Sequence, residues 1–83
     1  MSGQAINWAF EAKCPSPEAK LALLCLADVV GYDGLCWPHS AIVKRCQMSP
    51  KIFNEKLAEL ERAGLLVAAH DGCYRLLMMG ERQ

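Results

Sequence analysis

Hydrophobic residues recur at helical spacing through most of this chain and at near-alternating spacing only after Gly64. Phe53, Leu57 and Leu60 follow one another at intervals of four and three residues. This spacing places them on one face of a helix, which we predict over Ser49–Ala63. The start of that helix carries polar and charged residues on its other side, so we expect it to present this side to solvent or to a partner.

Two of the predicted helices begin with the same Ser-Pro signal, at Ser16 and at Ser49. A serine oxygen at the N-cap accepts a hydrogen bond from an amide of the first turn. Proline is tolerated next, because the amide it lacks has no helical partner there. The helix after Ser16 continues through an almost wholly apolar stretch to about Val30, which predicts heavy burial. Gly64 supplies the left-handed residue that ends the helix after Ser49.

The segment between these two helices predicts a short strand and a short helix. The strand covers Leu35–Trp37 and is stopped by Pro38. The short helix starts near His39 or Ser40, and Gln47-Met48 forms the turn that follows it. Three of its residues are expected to face the core: Ala41, Ile42 and Cys46.

The residues after Gly64 predict a β-hairpin. Leu65–His70 and Cys73–Met79 are strand-like, and Asp71-Gly72 between them is a strong hairpin signal because both central residues of such a turn adopt positive φ. The order of elements is helix, short strand, helix, helix, hairpin. This order is typical of a winged helix-turn-helix, in which three helices surround one core and a small antiparallel hairpin forms the wing. The predicted fold class is therefore α+β, mainly α.

Length and composition predict one cytoplasmic domain. The chain has 83 residues, within the usual range of a single domain, and we place its core at about residues 6–79. Ile6–Ala12 predicts a helical turn or an extended arm that lays Trp8 or Phe10 across the core. The N-terminus lacks the pattern of a signal peptide, and the longest apolar run, Leu21–Ala27, is too short to cross a bilayer. Five cysteines without a C-x-x-C pair indicate reduced thiols that pack as small hydrophobes.

The charges balance, with nine basic and nine acidic side chains and a net charge of zero. Proteins dedicated to nucleic acid are more often basic, because lysine and arginine displace counterions from phosphates. A neutral chain makes DNA binding less expected, although a local basic patch suffices for it. The helix over residues 50–63 is itself balanced, with three basic and three acidic residues.

Several short motifs carry a resemblance to a known family. They occur in order along about residues 6–70: Trp8, SPEAKL at Ser16–Leu21, LAD at Leu26–Asp28, DGLCWP at Asp33–Pro38 and LERAGLL at Leu60–Leu66. With these motifs the chain resembles the small helix-turn-helix domains of phage and prophage replication or regulatory proteins. The resemblance implies a DNA-binding protein in transcription regulation or replication, with the 49–63 helix in the major groove.

The start of that helix departs from the family pattern. Family helices open with Ser and a pair of basic or small polar residues; here Ser49 is followed by Pro50-Lys51. Ile52 stands where a small polar residue is common, and Glu55 where a basic residue is common. An acidic side chain facing DNA meets phosphate repulsion unless it accepts a hydrogen bond from a cytosine amino group.

The candidate binding residues lie on the two helices of the turn and on the hairpin: Lys44, Arg45, Ser49, Lys51, Ile52, Asn54, Glu55, Lys56 and Arg75. In a DNA complex, Asn54 is suited to a bidentate contact with adenine, and Lys51 to guanine or a phosphate. Lys44, Arg45 and Lys56 are placed to hold the phosphate backbone.

A protein-binding winged-helix module is the alternative that these residues leave open. Pro50 and Ile52, with Met48, present apolar area ringed by mixed charge, which suits a protein interface. The hairpin edge over Leu76–Met79 offers a second apolar surface that would pair with another chain. Such a chain would be a homodimeric adaptor, or a small phage-encoded inhibitor of a host complex.

An enzyme, a metal site and a cofactor are not expected. His39 and His70 lack Asp, Ser or Cys partners at catalytic spacing. Cys36 and His39 are three residues apart, but a structural zinc site needs about four ligands. We also find no glycine loop for phosphates and no paired carboxylates, and we expect no membrane partner.

Overall fold

The computed structural model describes residues 3–78. Over this range the chain forms four α-helices and one antiparallel sheet of three strands, which confirms a mainly helical α+β fold. No helix within it has the length and apolar character needed to cross a membrane. The elements are α1 (Gly3–Glu11), α2 (Pro17–Val29), β1 (Leu35–Cys36), α3 (Ser40–Arg45), α4 (Pro50–Arg62), β2 (Leu66–Ala68) and β3 (Tyr74–Leu76).

Both Ser-Pro signals start helices as predicted. The Ser16 hydroxyl accepts a hydrogen bond of 3.1 Å from the Ala19 amide, and the Ser49 hydroxyl accepts one of 3.2 Å from the Ile52 amide. Gly64, at φ +80°, is the left-handed residue predicted beyond the end of α4. The residues at which α4 begins and ends are therefore set by the local sequence, through the Ser49 cap and the left-handed Gly64.

The core lies chiefly between α2, α4 and the sheet. Phe53, Leu57 and Leu60 are buried, so the apolar face predicted for α4 is confirmed. The largest fully buried side chains come from helices and strands alike: Phe53, Leu23, Leu26, Ile42, Leu60, Leu66 and Leu76. Three of the five cysteines, Cys36, Cys46 and Cys73, are buried among them as free thiols.

Helix α1 corrects two predictions. The described residues contain four helices where three were predicted, because Gly3–Glu11 forms a complete helix rather than a turn or an arm. Ala5 and Ala9, one turn apart, are its fully buried residues, whereas Trp8 is half-buried and Phe10 is 62% exposed. The small side chains allow the backbone of the helix to come close to the core. Of the two aromatic residues, Trp8 packs against the core as predicted and Phe10 does not.

Helix α3 is short, and one of its residues differs from the prediction. His39 caps it, with Nδ1 accepting a hydrogen bond of 3.3 Å from the Ala41 amide. Ile42 and Cys46 are buried as predicted, but Ala41 is exposed. Consecutive helical residues are turned by about 100°, so Ala41 points away when Ile42 points inward.

The sheet corrects the prediction of an exposed hairpin edge. Strand order is β1-β3-β2, so β3 is central. The Leu76 amide donates to Gly34 on one side, and the Leu77 amide donates to Leu65 on the other. Leu76 is fully buried, so the segment from Leu76 to Met79 is no free edge over its described part, and Met79 lies outside the described residues.

The turn between β2 and β3 follows the Asp-Gly prediction. Asp71 has φ 57° and Gly72 has φ 78°, so both central residues adopt positive φ. The Cys73 amide closes the turn on the His70 carbonyl at 3.1 Å. The strands themselves are shorter than predicted, covering Leu66–Ala68 and Tyr74–Leu76.

Candidate nucleic-acid or protein interface

A tight turn places the start of α4 beside α3. Gln47 adopts the left-handed conformation at φ 56°, and its amide donates to the Lys44 carbonyl at 3.0 Å. The chain therefore leaves α3 and enters α4 within a few residues, at the predicted Gln47-Met48 turn. Four of the candidate residues share the first two turns of α4 and are exposed: Lys51, Ile52, Asn54 and Glu55.

Ile52 and Ser49 have different roles on this surface. Ile52 is 38% exposed, which confirms that an apolar side chain reaches the surface here. The Ser49 hydroxyl is occupied by the Ile52 amide, so Ser49 acts on this surface mainly by fixing where α4 begins. Loss of this hydroxyl would destabilise the first turn of α4.

A groove runs between α3 and the start of α4. Its cavity volume is about 350 Å³, and most of its lining is apolar. The lining residues are Pro38, Ser40, Val43, Lys44, Met48, Pro50 and Asn54. Among the candidate residues, the structure thus brings Lys44 and Asn54 together. The sequence did not indicate Pro38 and Val43 as groove residues, because Pro38 also stops a strand and Val43 has no polar group that suggests binding.

Arg45 is held by α2 rather than left free. Its Nη1 atom lies 2.9 Å from Oδ2 of Asp28, and both side chains are partly exposed. The hydrogen bond to Asp28 and the negative charge of that carboxylate raise the pKa of Arg45. Arg45 can therefore contact a phosphate only if it leaves Asp28 or bonds to both groups at once. The sequence did not predict the Arg45–Asp28 ion pair, because it joins residues on different helices.

Lys56 and Arg75 are also engaged within the protein. Lys56 Nζ lies 3.1 Å from Oε2 of Glu59, whose other oxygen accepts a 3.4 Å hydrogen bond from the Ser16 hydroxyl. Arg75, on central strand β3, donates from Nη1 to the Asp33 carbonyl at 2.7 Å. Arg75 thus fastens the turn before β1 to the sheet, and the structure does not join it to the candidate residues on α4.

The remaining candidate lysines are unengaged. Within residues 3–78 the ammonium groups of Lys44 and Lys51 make no ion pair and no hydrogen bond, and both side chains are exposed. Lys44 lies on α3 at the groove and Lys51 on the first turn of α4. These two residues are the cations best placed to meet a phosphate or an acidic partner.

A second hollow lies at the turn between α2 and β1. Its volume is about 470 Å³, and Val29, Tyr32, Leu35 and Trp37 contribute apolar and aromatic lining. Trp37, which follows β1 directly, is 50% exposed. Asp33 is the charged residue in this lining. The hollow therefore suits an apolar group better than a phosphate.

The thiols and imidazoles do not form a metal centre in the described part of the chain. No group of three or more His, Cys, Asp or Glu residues between residues 3 and 78 is arranged to hold a metal ion. The Cys36 thiol donates to the Tyr74 carbonyl at 3.6 Å, and His39 serves as the cap of α3. Burial, with a smaller effect of Cys73, raises the pKa of Cys36 to about 12, so its thiol stays protonated near neutral pH.

Comparison with known proteins assigns no function to these surfaces. The chain matches no protein family, no curated protein and no solved structure. Its function must therefore be argued from the residues and their geometry.

Proposed function

We propose that this chain is a winged helix-turn-helix protein that binds double-stranded DNA through α4. In this proposal α3, the Gln47-Met48 turn and α4 form the helix-turn-helix, and the β2–β3 hairpin forms the wing. The supporting observation is that the first two turns of α4 bury Phe53 and Leu57 while Lys51 and Asn54 are exposed on other sides. The motif resemblance adds a regulatory or replication-associated role of phage or prophage type.

The proposed complex assigns a distinct contact to each exposed polar group. Lys51 and Asn54 meet base edges, where a lysine suits guanine and an asparagine suits adenine. Lys44 holds a phosphate from the neighbouring helix. Arg45 and Lys56 contribute only after exchanging partners, and an exposed pair such as Arg45–Asp28 costs little to exchange.

The dependence of DNA affinity on salt tests this function. Contacts to about four to six phosphates predict a slope near −4 to −5 when log affinity for random duplex DNA is plotted against log salt concentration. Fluorescence anisotropy with a labelled duplex measures it. A chain that binds no duplex even at low salt would rule out the DNA function.

A matched pair of lysine variants locates the contact. Lys51→Ala should weaken binding, because it removes the proposed contact to a guanine edge. Lys13→Ala removes the same charge from an exposed residue that lies near Gly64, at the opposite end of α4, and should leave binding nearly unchanged. Equal losses in the two variants would show that only overall charge matters, and that α4 is not the contact.

One observation favours a second function, protein binding on the same face. The groove between α3 and α4 is mostly apolar, and Pro50 and Ile52 extend this apolar surface beside it. An apolar side chain of a protein partner, including one from a second copy of this chain, would fit such a groove.

Asn54→Arg separates the two functions, because Asn54 lines the groove and is exposed. An added positive charge should raise affinity for random duplex if α4 faces phosphates. It should weaken self-association, measured by analytical ultracentrifugation, if the groove holds the apolar side chain of another copy. Ile52→Asp tests whether this face is used in either function, since it should abolish either complex while the circular dichroism melting curve stays close to that of the wild type.

A further inference from the structure

Glu55 lies at the middle of the exposed side of α4. It is two residues from Phe53 and two from Leu57, both buried, so it points about 160° away from each around the helix. Lys51, four residues earlier, lies about 40° from the direction of Glu55. When the buried side of α4 faces the core, Glu55 therefore points straight at whatever the helix docks against.

The carboxylate of Glu55 is not neutralised by its neighbours. Lys56, the adjacent cation, pairs with Glu59 at 3.1 Å, and no ion pair or hydrogen bond to Glu55 occurs within residues 3–78. An ionised carboxylate only accepts hydrogen bonds. A docked surface must therefore offer Glu55 a donor, or the carboxylate loses its water without replacement.

The major groove offers such a donor at some bases and not at others. Cytosine presents its N4 amino group, whereas guanine and thymine present the acceptor oxygens O6 and O4. Adenine has an N6 amino group, but its N7 acceptor lies beside it and opposes a carboxylate. Cytosine is thus the base whose edge a carboxylate matches best, and guanine and thymine are the bases it rejects.

Provided that α4 enters the major groove as proposed above, we infer that Glu55 is a specificity-determining residue that selects a cytosine at one position of the DNA site. The Lys51 ammonium group donates hydrogen bonds, whereas the Glu55 carboxylate accepts them. A lysine that reaches the base edges in the major groove favours guanine through O6 and N7. Four helical residues span about 6 Å, close to two base-pair steps of 3.4 Å. The site therefore contains a guanine and a cytosine about two base pairs apart, read by opposite hydrogen-bonding chemistry from one helix face.

Selection of binding sites from a random duplex library tests the inference. The wild-type chain should enrich sites with one invariant cytosine. Glu55→Gln should enrich adenine at that same position, because glutamine pairs with adenine N6 and N7. Glu55→Ala should accept all four bases there. Replacing the cytosine by thymine in a selected site should cost the wild type roughly five- to 150-fold in affinity, and Glu55→Ala almost nothing.

The controls separate specificity from charge and from folding. Glu61→Gln removes an equal charge from an exposed residue in the last turn of α4, and its selected sites should match those of the wild type. Because Glu55 is exposed, its variants should melt at the wild-type temperature. If the wild type binds and selects sites without a fixed cytosine, or if Glu55→Gln still selects cytosine, the inference is wrong while DNA binding stands. If the wild type binds no duplex, both are wrong.

Discussion

Lys20, in the first turn of α2, donates a 2.6 Å hydrogen bond from Nζ to the carbonyl oxygen of Ala12, just after α1 ends. The same ammonium group donates to the carbonyls of Ala9 at 2.8 Å and Phe10 at 2.7 Å. The last carbonyls of a helix have no partner within it, and they carry partial negative charge. One lysine thus completes the C-terminal end of α1 and fixes that end to α2.

Replacing Lys20 by methionine should lower the free energy of unfolding by about 1–3 kcal/mol. Methionine keeps most of the side-chain length but cannot donate, so partly buried carbonyls lose their partner. Urea denaturation followed by circular dichroism measures the change. Lys13→Met, at an exposed position, should shift the value by less than about 0.5 kcal/mol. Equal effects in the two variants would show that the Lys20 contacts do not stabilise the protein.

Asp28→Asn should raise the affinity for duplex DNA. The change removes the ion pair that holds the Arg45 guanidinium, 2.9 Å from Asp28, and leaves only a neutral amide oxygen as acceptor, so Arg45 exchanges more readily to a phosphate. We expect the salt slope to steepen by about one, with little change in stability because the pair is partly exposed. Glu11→Gln, which alters the same charge at the end of α1, is the matched control. A gain of the same size in the control would mean that net charge, and not Arg45, governs affinity.

Gly64→Ala should destabilise the chain by about 1 kcal/mol. A Cβ added at Gly64 meets no atom within 4 Å, so the cost comes only from holding an alanine at φ +80°. Gly64→Asn should cost less, since asparagine tolerates the left-handed region better. Thermal melting of the three proteins gives this order, and an alanine variant as stable as the wild type would contradict it.

We expect the buried Cys36 thiol to make the protein less stable at alkaline pH. Burial raises the pKa of Cys36 from an ordinary value of 9.0 to about 12 in the folded chain. The folded state therefore keeps a proton that the unfolded state loses, and the resulting stabilisation is present below pH 9 and lost as pH rises from about 9 to about 12. Between about pH 8 and about pH 10, the free energy of unfolding should fall more for the wild type than for Cys36→Ala. Parallel pH profiles from urea denaturation would contradict this prediction.

The local signals of the sequence predicted the parts of the fold that local chemistry decides. Ser16 and Ser49 cap helices because their hydroxyls need only an amide three residues away. Asp71-Gly72 forms the hairpin turn because its backbone conformation is set by those two residues. The exposed start of α4 follows from the same reasoning, since its buried face was evident from the spacing of Phe53 and Leu57.

Features that depend on distant residues were not predictable in this way. Helix α1 buries Ala5 and Ala9, whereas a ranking by size draws attention to Trp8 and Phe10. The pairing of Arg45 with Asp28 requires knowing how two helices cross. The central place of β3 likewise depends on contact between residues about forty positions apart, such as Leu35 and Arg75, which no local pattern encodes.

The central position of β3 also makes the whole sheet depend on one strand. Leu35–Cys36 and Leu66–Ala68 both pair with Tyr74–Leu76 and not with each other. Until Tyr74–Leu76 is in place, neither earlier strand has a hydrogen-bonding partner in the sheet. The last of the described strands in the chain therefore completes the sheet and, with the buried Leu76, the core.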